Sequence, residues 1–303
     1  MLDISVVIPT YNRLDTLEHV LPTLLAQDVP GERYELLVCD SNSNDGTAAY
    51  LAGLAAVHPN LRHLPGPYSG RAAARNAGIR EARGAIVLFN DADILASPDL
   101  LSRHLARHRD ADERIAVVGW EVQVRDLADY ARQREHPELR AHLHPPGRKR
   151  LSWLYFLTGN ASVASEDLRR VGGFDESFTG YGHEDLELGY RLEKDGVRIV
   201  YEPRAVNYHC QDVPHDDQKE KMKLAGRSTV RFYRKHPDLA VRLNLGMTPV
   251  SLGLHAVLER APRVLGFFDT RAESSRFARA LVQQYYYVSG IKEALREHAG
   301  PSH

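Results

Sequence analysis

Cysteine is scarce, and the two present, Cys39 and Cys210, stand far apart without a CxxC spacing. That excludes a disulfide framework and a zinc ribbon and points to a reducing, cytoplasmic setting. Long apolar runs are also missing: no stretch approaches the ~18 to 20 uninterrupted apolar residues that a bilayer crossing needs. Net charge is nearly absent, -1 from 39 Lys and Arg against 40 Asp and Glu, so no global basic field argues for nucleic acid. The opening MLDISVVIPTYN carries Asp3 and no basic stretch before its short apolar run, so it reads as a strand and not as a secretory leader. No repeat of solenoid length is present. What remains is a 303-residue chain, 43% hydrophobic and 26% charged. That is a globular composition, large enough for a sizeable core in one large domain or two modest ones.

Apolar periodicity supplies the organisation. Ile4 to Ile8 is a β-branched run stopped by Pro9, as in a strand covered on both faces. Leu14, Leu17, Val20, Leu21, Leu24 and Leu25 recur at helical spacing, with Asn12 as the expected cap. Leu36 to Cys39 reads as the second strand, ending at Asp40. Helices are predicted over 47–57 and 71–83, a third buried strand over Ala85 to Phe89, and a helix opened by Pro98. From Val122 to Arg150 the pattern dissolves among charges, histidines and Pro145-Pro146-Gly147, which predicts an excursion over the site. Asn160 to Ala164 reads as a strand, 165–171 and 184–193 as helices, and Val197 to Tyr201 as a strand. Past Pro214 the chain turns helical, so a boundary is expected near Asp212, dividing 1–212 from 213–303.

Strands alternating with helices specify βαβ units. The expected class is therefore α/β, a doubly wound, mostly parallel sheet flanked by helices, with a C-terminal helical extension. Ligands bind such sheets beyond the carboxyl ends of the strands. The polar clusters at 10–13, 40–45 and 90–93 all fall there.

Two acidic clusters carry chemistry. Asp91 and Asp93, read as an extended segment, point the same way, and two like charges held together call for a cation or proton. A hard divalent ion, Mg2+ or Mn2+, takes one or two carboxylates and fills its other positions with water and phosphate oxygens. A plain turn is the alternative; the position after a buried strand favours the metal. Glu184 and Asp185 open a helix behind Gly180 and Gly182, where N-terminal capping is the ordinary reading. A carboxylate there, facing a metal-diphosphate site, equally serves as general base toward a substrate hydroxyl.

Taken together, VVIPTYNR (6–13), VCDSNSNDGT (38–47), GRAAARNAGI (70–79), the Asp91–Asp93 DxD, GGFDESFTGYGHEDLELGYRL (172–192) and NYH (207–209) resemble a family 2 glycosyltransferase of the GT-A fold. The resemblance implies inverting transfer of a sugar from a nucleoside-diphosphate sugar to an acceptor hydroxyl, with Mn2+ or Mg2+. It assigns Pro9, Thr10, Tyr11, Arg13 and Asp40 to the base and ribose. Arg71, Arg75 and Asn76 go to the nucleotide or its diphosphate, and Trp153, Gly159 and Asn160 to the sugar and acceptor. It gives the metal to Asp93 and, less directly, Asp91, with His209 as a further ligand. Asp185 matches the family's base and Glu184 a sugar-binding carboxylate, roles that remain exchangeable.

The resemblance makes UDP the leading donor nucleotide, but Ser41 stands where the family commonly has a second adjacent aspartate that reads the base, which loosens uridine specificity and keeps dTDP and GDP open. The acceptor implied is a glycan or lipid-linked glycan of a bacterial cell envelope. Two other classes compete. A nucleotidyltransferase typically opens with a Gly-rich basic phosphate loop that VVIPTYNR lacks. A silent nucleotide-sugar-binding module would tolerate loss of the carboxylates, which are present here.

Between Val250 and Lys292 six Lys and Arg meet three Asp and Glu, interleaved with Phe267, Phe268, Phe277 and Tyr285 to Tyr287. A basic, aromatic-rich amphipathic segment suits an anionic membrane interface, at the inner face of the cell membrane. A packed subdomain or a homodimer interface are the alternatives.

Overall fold

The computed structural model describes residues 2–140, 150–210 and 215–297. β1 (Leu2–Thr10) leads into α1 (Leu14–Leu25), β2 (Tyr34–Asp40) into α2 (Thr47–Val57), and β3 (Leu61–Pro65) into α3 (Arg71–Glu81). β4 (Gly84–Phe89) passes through the short β5 (Ile94–Ala96) into α4 (Leu100–Arg109). Then come β6 (Ile115–Val124), α5 (Leu127–Glu135), β7 (Ala161–Ala164), α6 (Ser165–Val171), α7 (Glu184–Lys194) and β8 (Arg198–Cys210).

Among the described residues one sheet contains the eight strands in the order β3-β2-β1-β4-β7-β6-β8-β5. β3, β2, β1 and β4 are parallel neighbours, as are β6 and β8, while β7 and β5 run antiparallel to theirs. All of β2, and β1 from Ile4 onward, are buried. Strands covered on both faces have no solvent side, which is why these read as continuous apolar runs. Leu17, Val20, Leu21 and Leu24 of α1 fill one face of that core, and α3 packs on β1 and β2. Truncating a fully buried leucine such as Leu21 to alanine costs about 2–5 kcal/mol.

Several local expectations are corrected. Asn12 does not cap α1; it adopts a left-handed backbone, φ 49. Its N–H donates to Ser43 Oγ (2.8 Å), its side chain accepts from the Asn44 N–H (2.9 Å), and the α1 amide of Leu14 donates to Asp45 Oδ2 (2.9 Å). These bonds staple the loops after β1 and β2 to each other. Pro98 precedes α4, whose N-cap position is Asp99, and α3 ends at Glu81, short of 83. Val122 to Val124 completes β6, and α5 follows with Asp126 capping it through the Asp129 N–H (2.7 Å). The expected excursion thus begins as regular structure; residues 141–149 lie outside the described ones. β8 extends well past Tyr201, through a register shift between the Glu202 and Val206 pairings that accommodates Pro203.

The chain divides into two compact units. The first is the sheet with its helices. The second comprises α8 (His215–Lys235), α9 (Leu239–Asn244), α10 (Pro249–Glu259), α11 (Pro262–Asp269) and α12 (Arg276–Glu297), together with Gly180–His183. Gly226 and Gly290 bring α8 and α12 backbone to backbone: a Cβ at either would sit 1.9 Å from a carbonyl oxygen of the other helix.

Candidate active site

The carboxyl ends of β1, β2 and β4 and the start of α7 carry the candidate residues. At the end of β1, Pro9 and Thr10 are buried while Tyr11 and Arg13 are exposed. The Thr10 hydroxyl is buried with no hydrogen-bond partner among the described residues, an arrangement that costs free energy until something pairs with it. Asp40 is buried and occupied: Oδ1 accepts from the Ser43 N–H (3.0 Å) and hydroxyl (2.5 Å), and Oδ2 lies 3.3 Å from His63 Nε2. Sequence reasoning missed His63, because β3 buries little apolar surface and shows no strand pattern.

Asp91 and Asp93 do not act as an extended pair. The Ile94 N–H donates back to the Asp91 carbonyl (3.2 Å), so the segment is a turn and the two carboxylates find separate partners. Asp91 Oδ1 accepts from Arg75 Nη2 at 2.7 Å, and Arg75 Nη1 reaches Glu184 Oε1 at 3.3 Å. Arg75, assigned by resemblance to the nucleotide or its diphosphate, is a fully buried guanidinium joining these two carboxylates, with Phe174 beneath it at 5.5 Å. Burial alone would lower its proton affinity, but Asp91 and Glu184 outweigh that and raise it. Arg71, half exposed, lies 3.6 Å from the same Glu184 oxygen.

The two adjacent acids of α7 are driven apart. Burial acts to raise the Glu184 carboxyl, but Arg71 and Arg75 hold it below its ordinary value. Asp185 goes the other way, pushed up to about 7 by burial and then by the Glu184 charge beside it. Two neighbouring acids with separated proton affinities are the arrangement acid–base chemistry requires.

Asp93 belongs to a second cluster. Its Oδ1 lies 3.6 Å from His209 Nε2, across the β5–β8 pairing that sets Ile94 opposite His209. Glu121 of β6 reaches the other ring nitrogen at 3.2 Å. Burial would lower His209, but the Asp93 and Glu121 carboxylates facing its two ring nitrogens raise it to about 10. Burial likewise raises Asp93, yet His209 and then Arg13 bring it below its ordinary value. Glu121 was not foreseen, since nothing in the sequence displays the β6–β8 register. No group of three or more His, Cys, Asp or Glu is gathered to hold a metal among the described residues. The touching carboxylate and imidazole fit a hard divalent ion that draws its remaining ligands from water and phosphate.

Three of the expected ligand residues make contacts within the scaffold. Asn76 spends its side chain on the Phe174 carbonyl and N–H and on Glu176 (2.8–2.9 Å). Trp153 is buried edge-on against Tyr190, centroids 5.7 Å apart. Asn160 sits in a buried relay: Oδ1 to His104 Nε2, His104 Nδ1 to Ser162 Oγ, and Ser162 Oγ to His108 Nε2, each 2.8 Å. Burial drives His104 down to about 4 and His108 to about 3, so both are neutral. Gly159 leaves room for Glu121, whose carboxylate would lie 2.4 Å from any Cβ added there.

A family model described as glycosyl transferase family 2 matches residues 5–172, and one described as N-terminal domain of galactosyltransferase matches 140–215. The validoxylamine A glucosyltransferase of Streptomyces hygroscopicus subsp. jinggangensis is 32% identical over 272 residues, 81% of this chain and 64% of the relative. The chondroitin synthase of Escherichia coli is 27% identical over 273 residues, 77% of this chain and 39% of the relative. The chain thus spans less than two thirds of either. Among solved structures, the mannosyltransferase PcManGT of Pyrobaculum calidifontis, in complex with GDP-Man and Mn2+, gives a TM-score of 0.66 at 22% identity, covering 97% of this chain and 87% of that one. S. aureus TarS in complex with UDP gives 0.59 at 20%, covering 98% and 92%. At that identity the shared property is the fold, the GT-A arrangement of a mostly parallel sheet between helices.

Proposed function

This chain belongs to glycosyl transferase family 2, and from that premise we propose that it moves a sugar from a nucleoside-diphosphate sugar to an acceptor hydroxyl with inversion. The observation that carries the reading is Asp185, a carboxylate fixed on the first turn of a helix with its proton affinity raised to about 7. It takes the acceptor proton while the acceptor oxygen attacks the anomeric carbon, and the bond to the nucleoside diphosphate breaks on the opposite face. Glu184, kept ionised by Arg71 and Arg75, orients sugar hydroxyls. Asp93 and His209 would hold a divalent cation, Mn2+ or Mg2+, whose charge steadies the departing diphosphate when it is bound.

Thr10, with its unpaired hydroxyl, is positioned to meet the donor nucleoside, while both Asp40 oxygens are already in use. That keeps UDP, dTDP and GDP in contention. The name of one relative supports a glucosyl donor and that of another a polysaccharide acceptor. The test is thermal stabilisation by each nucleoside diphosphate with and without Mn2+, followed by a transfer assay on wild type and Asp185→Asn. A ligand of the native state raises stability as RT ln(1 + [L]/Kd). One nucleotide acting only with metal, and transfer lost only in the variant, is expected; silence from every nucleotide would end the reading.

No described helix is long and apolar enough to cross a membrane. α10, α11 and the start of α12 expose Val250, Leu254, Val257, Val264, Phe267 and Phe277 among Arg260, Arg263, Arg271 and Arg276. We propose that this face rests on anionic lipid, the apolar side chains entering the interface and the guanidinium groups meeting headgroups. Cosedimentation with phosphatidylserine vesicles should weaken in Phe267→Ser and in high salt; concentration-dependent dimerisation instead would make the face a self-interface.

A further inference from the structure

Glu121 stands on the far side of the His209 ring from Asp93: it faces Nδ1, whereas Asp93 faces Nε2. The β6–β8 register sets Glu121 opposite Asn207 and Gln123 opposite His209. Alternate residues of a strand share a face, so these four polar side chains stand together on one side of the sheet. Val122, Val124 and Tyr208, which lie between them in the sequence, go to the apolar core on the other side.

The hydrogen bonds of this group run in one sense. Glu121 Oε1 lies 3.2 Å from His209 Nδ1 and accepts from Gln123 Nε2 at 2.8 Å, and Gln123 Nε2 stands 3.3 Å from the same ring nitrogen. An ionised carboxylate has no proton to give, and an amide nitrogen has no lone pair to offer. Nδ1 therefore either donates to Glu121 or accepts from Gln123, and the charged acceptor makes the stronger bond. Turning the Gln123 amide over would set its oxygen against the carboxylate, so its nitrogen stays on Glu121 and holds Oε1 in place. The other carboxylate oxygen is confined by Gly159: a Cβ there would lie 2.4 Å from Oε2, and the Gly159 carbonyl is tied to Asn207 Nδ2 at 2.7 Å. With Nδ1 engaged by Glu121, the nitrogen left toward Asp93 is Nε2, 3.6 Å from Oδ1. A histidine that ligates a metal through one nitrogen characteristically gives its other N–H to a carboxylate or carbonyl, which fixes the ring and its tautomer.

We infer that Glu121 is a positioning residue: by taking the His209 Nδ1–H it fixes the imidazole so that Nε2, beside Asp93, is the nitrogen offered to a divalent cation. Gln123 and Gly159 in turn hold Glu121. The inference rests on the metal role proposed for Asp93 and His209, but the hold on the ring is open to a measurement made without metal.

The experiment uses the full chain with isotope-labelled histidine. Proton–nitrogen NMR of the metal-free protein should show a low-field, exchange-protected proton on His209 Nδ1, assigned by its disappearance in His209→Gln. Glu121→Ala should abolish it, while Glu121→Gln, which keeps an acceptor oxygen, should retain it. Titration with Mn2+ alone, followed by the electron paramagnetic resonance of the free ion, should give an affinity about 10- to 100-fold weaker in Glu121→Ala, and Glu121→Gln should recover most of that loss. An equal loss in both variants would mean that Glu121 attracts the cation by its charge alone, and the inference fails. An unchanged affinity, or an unchanged His209 proton, in Glu121→Ala also overturns it. If wild type binds no Mn2+, the metal reading fails and takes the inference with it, and the NMR result separates that failure from a failure of Glu121 to hold the ring.

Discussion

The carboxyl edge of the sheet carries two acidic clusters, and they are neutralised by different kinds of cation. Arg75 bridges Asp91 and Glu184 with a guanidinium that keeps its charge at every working pH. His209 stands between Asp93 and Glu121 with an imidazole that, under the proposed function, is free to ligate a metal only once its proton leaves. One cluster is a permanent frame; the other has a cation that can be exchanged. Asp185 sits beside the frame without belonging to it, which leaves its carboxylate able to gain and lose a proton.

The sharpest way to break this contrast is to neutralise the one acid outside both pairs. Asp185→Asn should lower kcat by roughly 10²- to 10⁴-fold, the usual range for a general base, with nucleotide affinity retained. In wild type, kcat/KM should fall as pH drops below about 7, because the base must be unprotonated and burial with Glu184 has raised its proton affinity to about 7. An acidic limb displaced to about pH 4, the ordinary aspartate value, would remove Asp185 from the role.

Next in size is the frame. Arg75→Met keeps bulk but strips the cation from two carboxylates, and breaking a buried pair in this way costs about 3–5 kcal/mol. Urea denaturation measures it; a loss no larger than that of an exposed pair, ~1 kcal/mol or less, would mean Arg75 is not a frame. Smaller again is the exchangeable cluster. Asp93→Ala should weaken the Mn2+-dependent part of nucleotide stabilisation by more than about tenfold. Asp91→Ala should leave that part intact and act on stability through Arg75.

What the sequence made legible follows the same division. β1, β2 and the Val87–Phe89 half of β4 were readable because a strand buried on both faces must be apolar throughout, and Asp40, Asp91 and Glu184 followed from where those runs and helix signals end. β3 and β5 were not: β3 buries only Leu61 fully, and β5 is three residues long. Without β3 His63 had no address, and Glu121 reaches His209 only through the β6–β8 register, which the sequence does not display. The scaffold contacts of Asn76 and Asn160 were illegible for a related reason. A polar side chain near a ligand edge looks the same in sequence whether it faces outward or closes a buried hydrogen-bond relay.

That buried relay is a third cluster, one with no cation at all, and it yields the smallest effect. His104, between Asn160 and Ser162, and His108, against Ser162, are held neutral by burial, with folded proton affinities near 4 and 3 against an ordinary 6.5. As pH falls below about 6.5 the unfolded chain takes up these protons and the native state does not. The stabilisation is therefore complete above that value and is lost progressively toward pH 4. One unit of pH is worth about 1.4 kcal/mol per group, so acidifying to about pH 5.5 should cost ~1 kcal/mol for each histidine. Asp185, raised from the ordinary aspartate value to about 7, pushes stability the opposite way over this range, whereas His209, raised to about 10, acts mainly above 6.5, so the wild-type curve alone does not isolate the relay. The difference curve does: His108→Gln keeps a donor toward Ser162 but cannot titrate, and its stability should fall less steeply with acid than wild type. Parallel curves would mean that His108 is already charged in the native state, and that the core of the sheet is held by a cation as its edge is.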